Sequence, residues 1–297
     1  MDIHSTLAAS LQHQKEASPE DWEATFRQMA LFDLAADMEL GFFLSYYRNF
    51  AIRNIAATLH TNAEIQQRPM KRSYDTAIVI YELIANGLDS PRGKEMVALL
   101  NRVHRNVPGS KDDFLYVLLT LLVVPIRWTQ KHSWRQPTAT ELAAASRFFM
   151  ELGARMNITA MPASYAEAED FFDTYEAAHV APSNQGQHLM DTTVQVFQSR
   201  LPTPLRPLAK QLISTMLDDD RLTQALGLPR STRIAQNILK SGLAVRNAIH
   251  RRRPLKRRPH FTPGAAGSSL YPHGYTLDQI GPVNVPPFSA RTGHELP

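Results

Sequence analysis

SKDDFLYVLLTLLVVPI, residues 110–126, decides the fold. From Phe114 to Ile126 the stretch is apolar on every side of a helical wheel, so a helix built from it has no face suited to water. In a water-soluble chain such a helix lies at the centre of a bundle and is wrapped by others. The run is shorter than the roughly 20 apolar residues a membrane span requires, and Pro125 falls inside it. Ser110 followed by Asp113 is a capping box that starts the helix, and Thr138 with Glu141 and Ser164 with Glu167 repeat the pattern further on.

Working outward, helical periodicity recurs and no alternating run is long enough for a strand. The spacing predicts helices near 19–48, 50–60, 72–87, 92–106, 111–124, 138–155, 164–179, 186–200, 204–217, 219–226 and 231–250, punctuated by Pro and Gly. The fold class is therefore all-α, a large helical bundle around a buried central helix. With 297 residues and 43% hydrophobic composition, the chain can bury one large core or two smaller ones. Past residue 254 the composition turns to Pro, Gly, Ser, His and Arg without periodicity. Residues 1–254 are thus expected as the helical domain and 255–297 as a basic, Pro/Gly-rich disordered tail.

The chain has no cysteine, which excludes disulfides and thiolate metal sites. MDIHSTLAASLQHQKEASPEDW at the start lacks the three-part pattern of a secretory signal. Formal charge is +4 and unevenly placed, because HRRRPLKRRPH at 250–260 concentrates basic residues while the remainder is slightly acidic. That run reads as a solvated linker or as a peripheral membrane contact; no aromatic residues interleave with it, so nucleic acid is not expected. A cytoplasmic location, at the periphery of a membrane, fits this pattern. No P-loop, dinucleotide fingerprint or G-x-S-x-G is present, which excludes the commonest nucleotide and hydrolase classes.

Three groups of residues carry chemistry. In MVALLNRVHRNV, residues 96–107, Met96, Leu99, Leu100 and Val103 form an apolar helix face that Val97, Leu100 and His104 continue. An imidazole on such a stripe is either a core residue bonded to a carbonyl or a ligand. The cofactor for which one protein imidazole suffices is haem, whose other face stays open to O2. In KRSYDT, residues 71–76, Arg72 and Thr76 stand four apart on one helical face with Asp75 beside them. They can hold a carboxylate, a phosphate or an oxygen species, or serve as a cap or ion pair. Glu176 and His179 form a Glu-x-x-His pair, half of the set a ferritin-like di-iron site needs; no second pair exists, and a structural contact is the simpler reading.

KRSYDT, GLDSPRGKEMVALLNRVH, DDFLYVLLTLLVVPIRW, RQPTATELAAASRFFMELGARMNI, MPASYAEAEDFFDTYEAAHVAP and LPTPLRPLAKQLI follow one another in this order. Over roughly residues 40–250 the chain resembles the family that unites fungal MpaB-type oxygenases with the catalytic domain of bacterial rubber oxygenases, the latex clearing proteins. The resemblance implies a globin-like helical bundle holding haem b, and an oxygenase that uses O2 to cleave a carbon–carbon double bond in a lipophilic, isoprenoid substrate. His104 matches the histidine that ligates the iron. Arg72 and Thr76 match the pocket Arg and Thr, which the resemblance makes both cofactor-contacting and catalytic. Arg72 would pair with a propionate or steady bound oxygen, and Thr76 would donate to it.

Some positions depart from the rubber-cleaving members. Asp75 stands where they carry a lysine, no counterpart of their upstream glutamate is placed in FAIRNIAATLHTN, residues 50–62, and no secretion signal is read. The membrane anchor of the fungal enzymes is not read either. Two alternatives remain beside this reading: a non-enzymatic helical protein that binds lipid or a partner, and a non-haem iron enzyme using Glu176 and His179.

Overall fold

The structure, a computed structural model, describes residues 21–253, 256–265 and 270–281. Among them thirteen α-helices succeed one another: α1 (Trp22–Gln28), α2 (Ala35–Arg48), α3 (Arg53–Thr61), α4 (Glu64–Gln67), α5 (Pro69–Asn86), α6 (Pro91–His104), α7 (Lys111–His132), α8 (Ala139–Arg155), α9 (Tyr165–His179), α10 (Asn184–Arg200), α11 (Ala209–Leu217), α12 (Asp220–Ala225) and α13 (Arg233–Arg252). No strand occurs among the described residues, only isolated bridges. The start of the chain and residues 282–297 fall outside the described residues.

The central helix is α7. Leu115, Leu119, Leu122, Val123 and Ile126 are buried on successive sides of it, and α2, α8 and α9 pack around it. Its N-terminus carries the full capping box: the Asp113 amide donates to the Ser110 hydroxyl at 3.0 Å, and the Ser110 amide donates to the Asp113 carboxylate at 2.9 Å. Thr138 and Glu141 close a second box in the same way. At Ser164 only half the box forms, since Glu167 accepts from the amide of Ala163 instead.

Two boundaries differ from the sequence expectation. The central helix does not stop at 124; it runs through Pro125 to His132. Proline removes one backbone donor and crowds the preceding turn, and here the ring is received by Gly41 of α2. A Cβ on Gly41 would lie 2.3 Å from the Pro125 Cα, so the absence of a side chain lets the two helices meet at that point. One turn earlier Ser45 donates to the Thr120 carbonyl at 2.7 Å.

The second difference is that the helix expected over 19–48 breaks at Leu34 after a π-helical turn, Met29–Asp33. The Asp33 carbonyl accepts from the Trp134 indole at 2.9 Å, and its carboxylate is bound by Arg135 at 2.8 Å. Both pull this turn out of a regular ladder. Residues 19–20 lie outside the described residues.

The described residues of the tail, 256–265 and 270–281, are irregular apart from one three-residue 3-10 turn, Leu277–Gln279. Its residues 270–281 are nonetheless fastened to α5. Tyr271 donates to Asp75 at 2.6 Å, Tyr275 donates to Glu82 at 2.5 Å, and the Gly281 amide donates to Asp75 at 2.9 Å. Lys71 bonds Asp75 and reaches the Gln279 carbonyl at 2.8 Å. Burial of Glu82 pushes its pKa up, and the two Arg92 bonds with that of Tyr275 more than reverse this, so the carboxyl sits below its ordinary range. The described tail is thus a strap rather than a free chain, because two buried carboxylates need donors and two tyrosines supply them.

Candidate functional site around His104

His104 ends α6, and three pieces of chain converge on it. Asn101 and Arg105 share its helical end, Lys111 and Phe114 come from the first turn of α7, and Met156 to Thr159 come from the loop after α8. Together they line a cavity of about 440 Å³. The frame is fixed locally. Asn101 donates to the Arg155 carbonyl at 2.9 Å, which caps the end of α8, and Asn157 turns the chain with a left-handed φ of 58°.

The imidazole is half-buried rather than sunk in the core; Met96, Val97 and Leu99 of the same helix are the buried ones. Nδ1 lies 2.8 Å from the Leu100 carbonyl. A carbonyl only accepts, so Nδ1 carries the proton and Nε2 is left with its lone pair; among the described residues Nε2 makes no hydrogen bond. This is the tautomer and orientation that a metal-ligating histidine requires. Burial pushes the His104 pKa below its ordinary value, the Leu100 carbonyl pulls it partly back, and the Arg72 charge pushes it down further. The ring is therefore neutral near pH 7. Phe114 meets it edge-on, ring centres 6.3 Å apart.

Arg72 and Thr76 are brought together on α5: the guanidinium donates to the Thr76 hydroxyl, and that hydroxyl donates to the Arg72 carbonyl at 2.8 Å. The Arg72 charge is felt at His104, yet neither Arg72 nor Thr76 lines the cavity beside the imidazole. The same charge is felt at Tyr46 of α2, whose pKa burial pushes upward. The buried hydroxyls of Tyr46 and Ser73 lie close enough to affect one another, but neither completes a hydrogen bond of normal geometry. Buried hydroxyls beside an arginine that complete no hydrogen bond among the described residues are spare polar capacity. Asp75 points elsewhere, to Lys71 and the strap.

Glu176 and His179 are not brought together as ligands. Arg48 holds both Glu176 oxygens at 2.7–2.8 Å, Tyr116 donates to one of them at 2.9 Å, and the His179 Nδ1 faces the Tyr175 carbonyl at 2.9 Å. No group of three or more potential metal ligands occurs among the described residues. Sequence reasoning had no signal for Tyr46, Arg105 or Lys111. Their positions follow from the packing of α2 on α5 and from the α6–α7 turn, which no spacing reveals.

A helical bundle with one neutral histidine at a cavity, and an arginine charge close by, is the class that fold and site define. Residues 6–247 match the family described as the catalytic domain of ER-bound oxygenase mpaB/B′ and rubber oxygenase, and the chain belongs to that family. ER-bound oxygenase mpaB′ of Penicillium brevicompactum is 24% identical across 80% of this chain and 71% of its own length. ER-bound oxygenase mpaB of Penicillium roqueforti (strain FM164) is 26% identical across 61% of this chain and 66% of its own. Among solved structures, latex clearing protein LCP in the closed state superposes with a TM-score of 0.56 at 14% identity, covering 78% of this chain and 68% of that one, a likeness of fold.

Proposed function

We propose that the protein is a haem b-dependent oxygenase that uses O2 to cleave a carbon–carbon double bond in a lipophilic, prenylated or otherwise unsaturated substrate. The observation that carries this reading is the His104 ring, neutral and tied through Nδ1 to the Leu100 carbonyl so that Nε2 is the nitrogen left for iron. Membership of an oxygenase family supports the reaction class. Cleavage of this kind places one atom of O2 on each carbon of the double bond, so it consumes no external reductant. Bound haem supplies the O2 chemistry.

The protein's own residues hold and shape. His104 would hold the iron through Nε2. Arg105 and Lys111 at the cavity rim are cations suited to propionates, while Phe114, Met156 and Ile158 give it apolar walls. Arg72 does not line the cavity, but its charge reaches His104 and would favour negative charge on a ligand held there. Thr76 spends its proton on the Arg72 carbonyl, so donation to a bound ligand requires that hydroxyl to rotate. The ER-bound names of two relatives support a membrane-side location, and no helix among the described residues is long and apolar enough to cross a membrane. Contact through the basic run at 250–260 is then made from the surface.

The test is direct. Protein expressed with ample haem precursor is assayed for haem by pyridine haemochromogen, and for O2 uptake with carbonyl products on a panel of prenylated compounds. Stoichiometric haem b with O2 uptake supports the reading. Colourless protein removes it in favour of a non-enzymatic bundle, and iron without porphyrin removes it in favour of a non-haem enzyme.

A further inference from the structure

Helix α13 carries its hydrophobic side outward. Ile234, Ile238, Val245 and Ile249 are 73%, 67%, 61% and 45% exposed. At 100° per residue they fall within a sector of about 60°, one continuous ridge along the helix. The opposite side is bolted to the body. Arg246 pairs with Asp37 at 2.8 Å, Asn247 donates to the His132 carbonyl at 2.8 Å, and Arg251 donates to the Trp134 carbonyl at 3.0 Å. Leu239 and Leu243 pack against the core beside these contacts. The helix cannot roll to hide its isoleucines without breaking all three polar anchors, so the ridge is held facing outward.

Charge decides what covers it. Arg233 and Lys240 are exposed on the far side of the helix from the ridge, about 130–150° from its middle, whereas Arg252 falls in the ridge sector itself and Lys256, Arg257 and Arg258 follow beyond the C-terminal end. No Asp or Glu occurs from 233 to 277. A nucleic acid would satisfy these charges and leave the ridge unused. A second copy packed ridge to ridge would satisfy the ridge and bring together two helices that carry basic residues and no acidic ones, at an electrostatic cost. A bilayer surface bearing anionic headgroups satisfies both, with the aliphatic side chains at the acyl boundary and the cations among the headgroups.

We propose that α13 is a monotopic docking helix, its Ile234–Ile249 ridge lying in the interface of an anionic membrane and its C-terminal basic cluster meeting the headgroups. This deepens the membrane-side reading given above and is independent of the cofactor.

The experiment is flotation of the full chain with vesicles of phosphatidylcholine, with and without phosphatidylserine. Wild type is expected to float with the mixed vesicles, weakly with neutral ones, and less as salt rises. The exposed-site variant Ile238→Ser/Val245→Ser should lose about a hundredfold in partitioning, and Arg252→Gln/Arg257→Gln about fivefold per charge on the anionic vesicles alone. Circular dichroism and gel filtration check that each variant is folded. Wild type that floats while the ridge variant floats equally removes α13 and leaves the membrane-side reading standing. Wild type that never floats removes both. Self-association that disappears in the ridge variant, without flotation, overturns the proposal in favour of a second copy.

Discussion

Replacing Tyr271 and Tyr275 together by Phe removes the two phenol donors of the strap and little else. Both rings stay apolar and about the same size, so the packing of the buried side chains persists. Asp75 keeps Lys71 and the Gly281 amide, and Glu82 keeps Arg92 and Asn86, so neither carboxylate is orphaned. A hydrogen bond to a charged group contributes about 1.5–3 kcal/mol. With the remaining donors in place, each loss sits at the low end, and the double variant weakens strap docking by about 3 kcal/mol. The two rings are 5.7 Å apart, so the single effects are not strictly additive. A change of that size raises the detached population about 150-fold.

Native-state hydrogen exchange reads this at the Gly281 amide, bonded to Asp75, and at Gln279 and Ile280, bonded within the turn. These should exchange about a hundredfold faster in the variant, in an opening that leaves the α7 amides protected. Unchanged exchange at Gly281, or exchange of the strap only together with α7 in both proteins, would mean that the two phenols do not hold the strap.

Three further outcomes follow from the geometry. Arg48→Met leaves the buried Glu176 with Tyr116 as its remaining donor and should cost about 3 kcal/mol in urea denaturation; an unchanged midpoint would mean that Glu176 is not held by that pair. Gly41→Ala drives a methyl into Pro125 and should destabilise by about 2–3 kcal/mol, with thermal unfolding as the check. Because burial holds the folded pKa of His104 below the ordinary value of about 6.5, the unfolded chain takes the proton first as pH falls. Its contribution is complete above about pH 6.5 and declines towards the folded pKa, with a slope of up to about 1.4 kcal/mol per pH unit. A His104→Gln variant should lack that slope, and identical pH profiles would contradict the assignment.

The helices were legible because their signals are local. Capping boxes at Ser110 and Thr138 and an all-apolar run need only neighbouring residues, and the bundle around α7 follows from them. The break at Leu34 was not legible, since its causes, Trp134 and Arg135, lie about a hundred residues away and no Gly or Pro marks the spot. Pro125 misled for the converse reason: the residue that accommodates it, Gly41, belongs to another helix. The strap was invisible because two tyrosines in an aperiodic segment mean nothing until Asp75 and Glu82 are brought to them.

At the site, the helical spacing that placed Arg72 and Thr76 on one face holds, and it said nothing of their distance from His104. The ridge on α13 also escaped notice. An apolar stripe predicts a buried face, and only the anchors at Arg246 and Asn247 show that this one points outward.

The central claim is a bond from the Nε2 of His104 to iron, and the absorption spectrum of His104→Gly titrated with imidazole tests it most directly. The variant is expected to lack the Soret band of the wild type and to regain it as imidazole fills the space the side chain vacated. A variant with the wild-type band before any imidazole is added would contradict that claim.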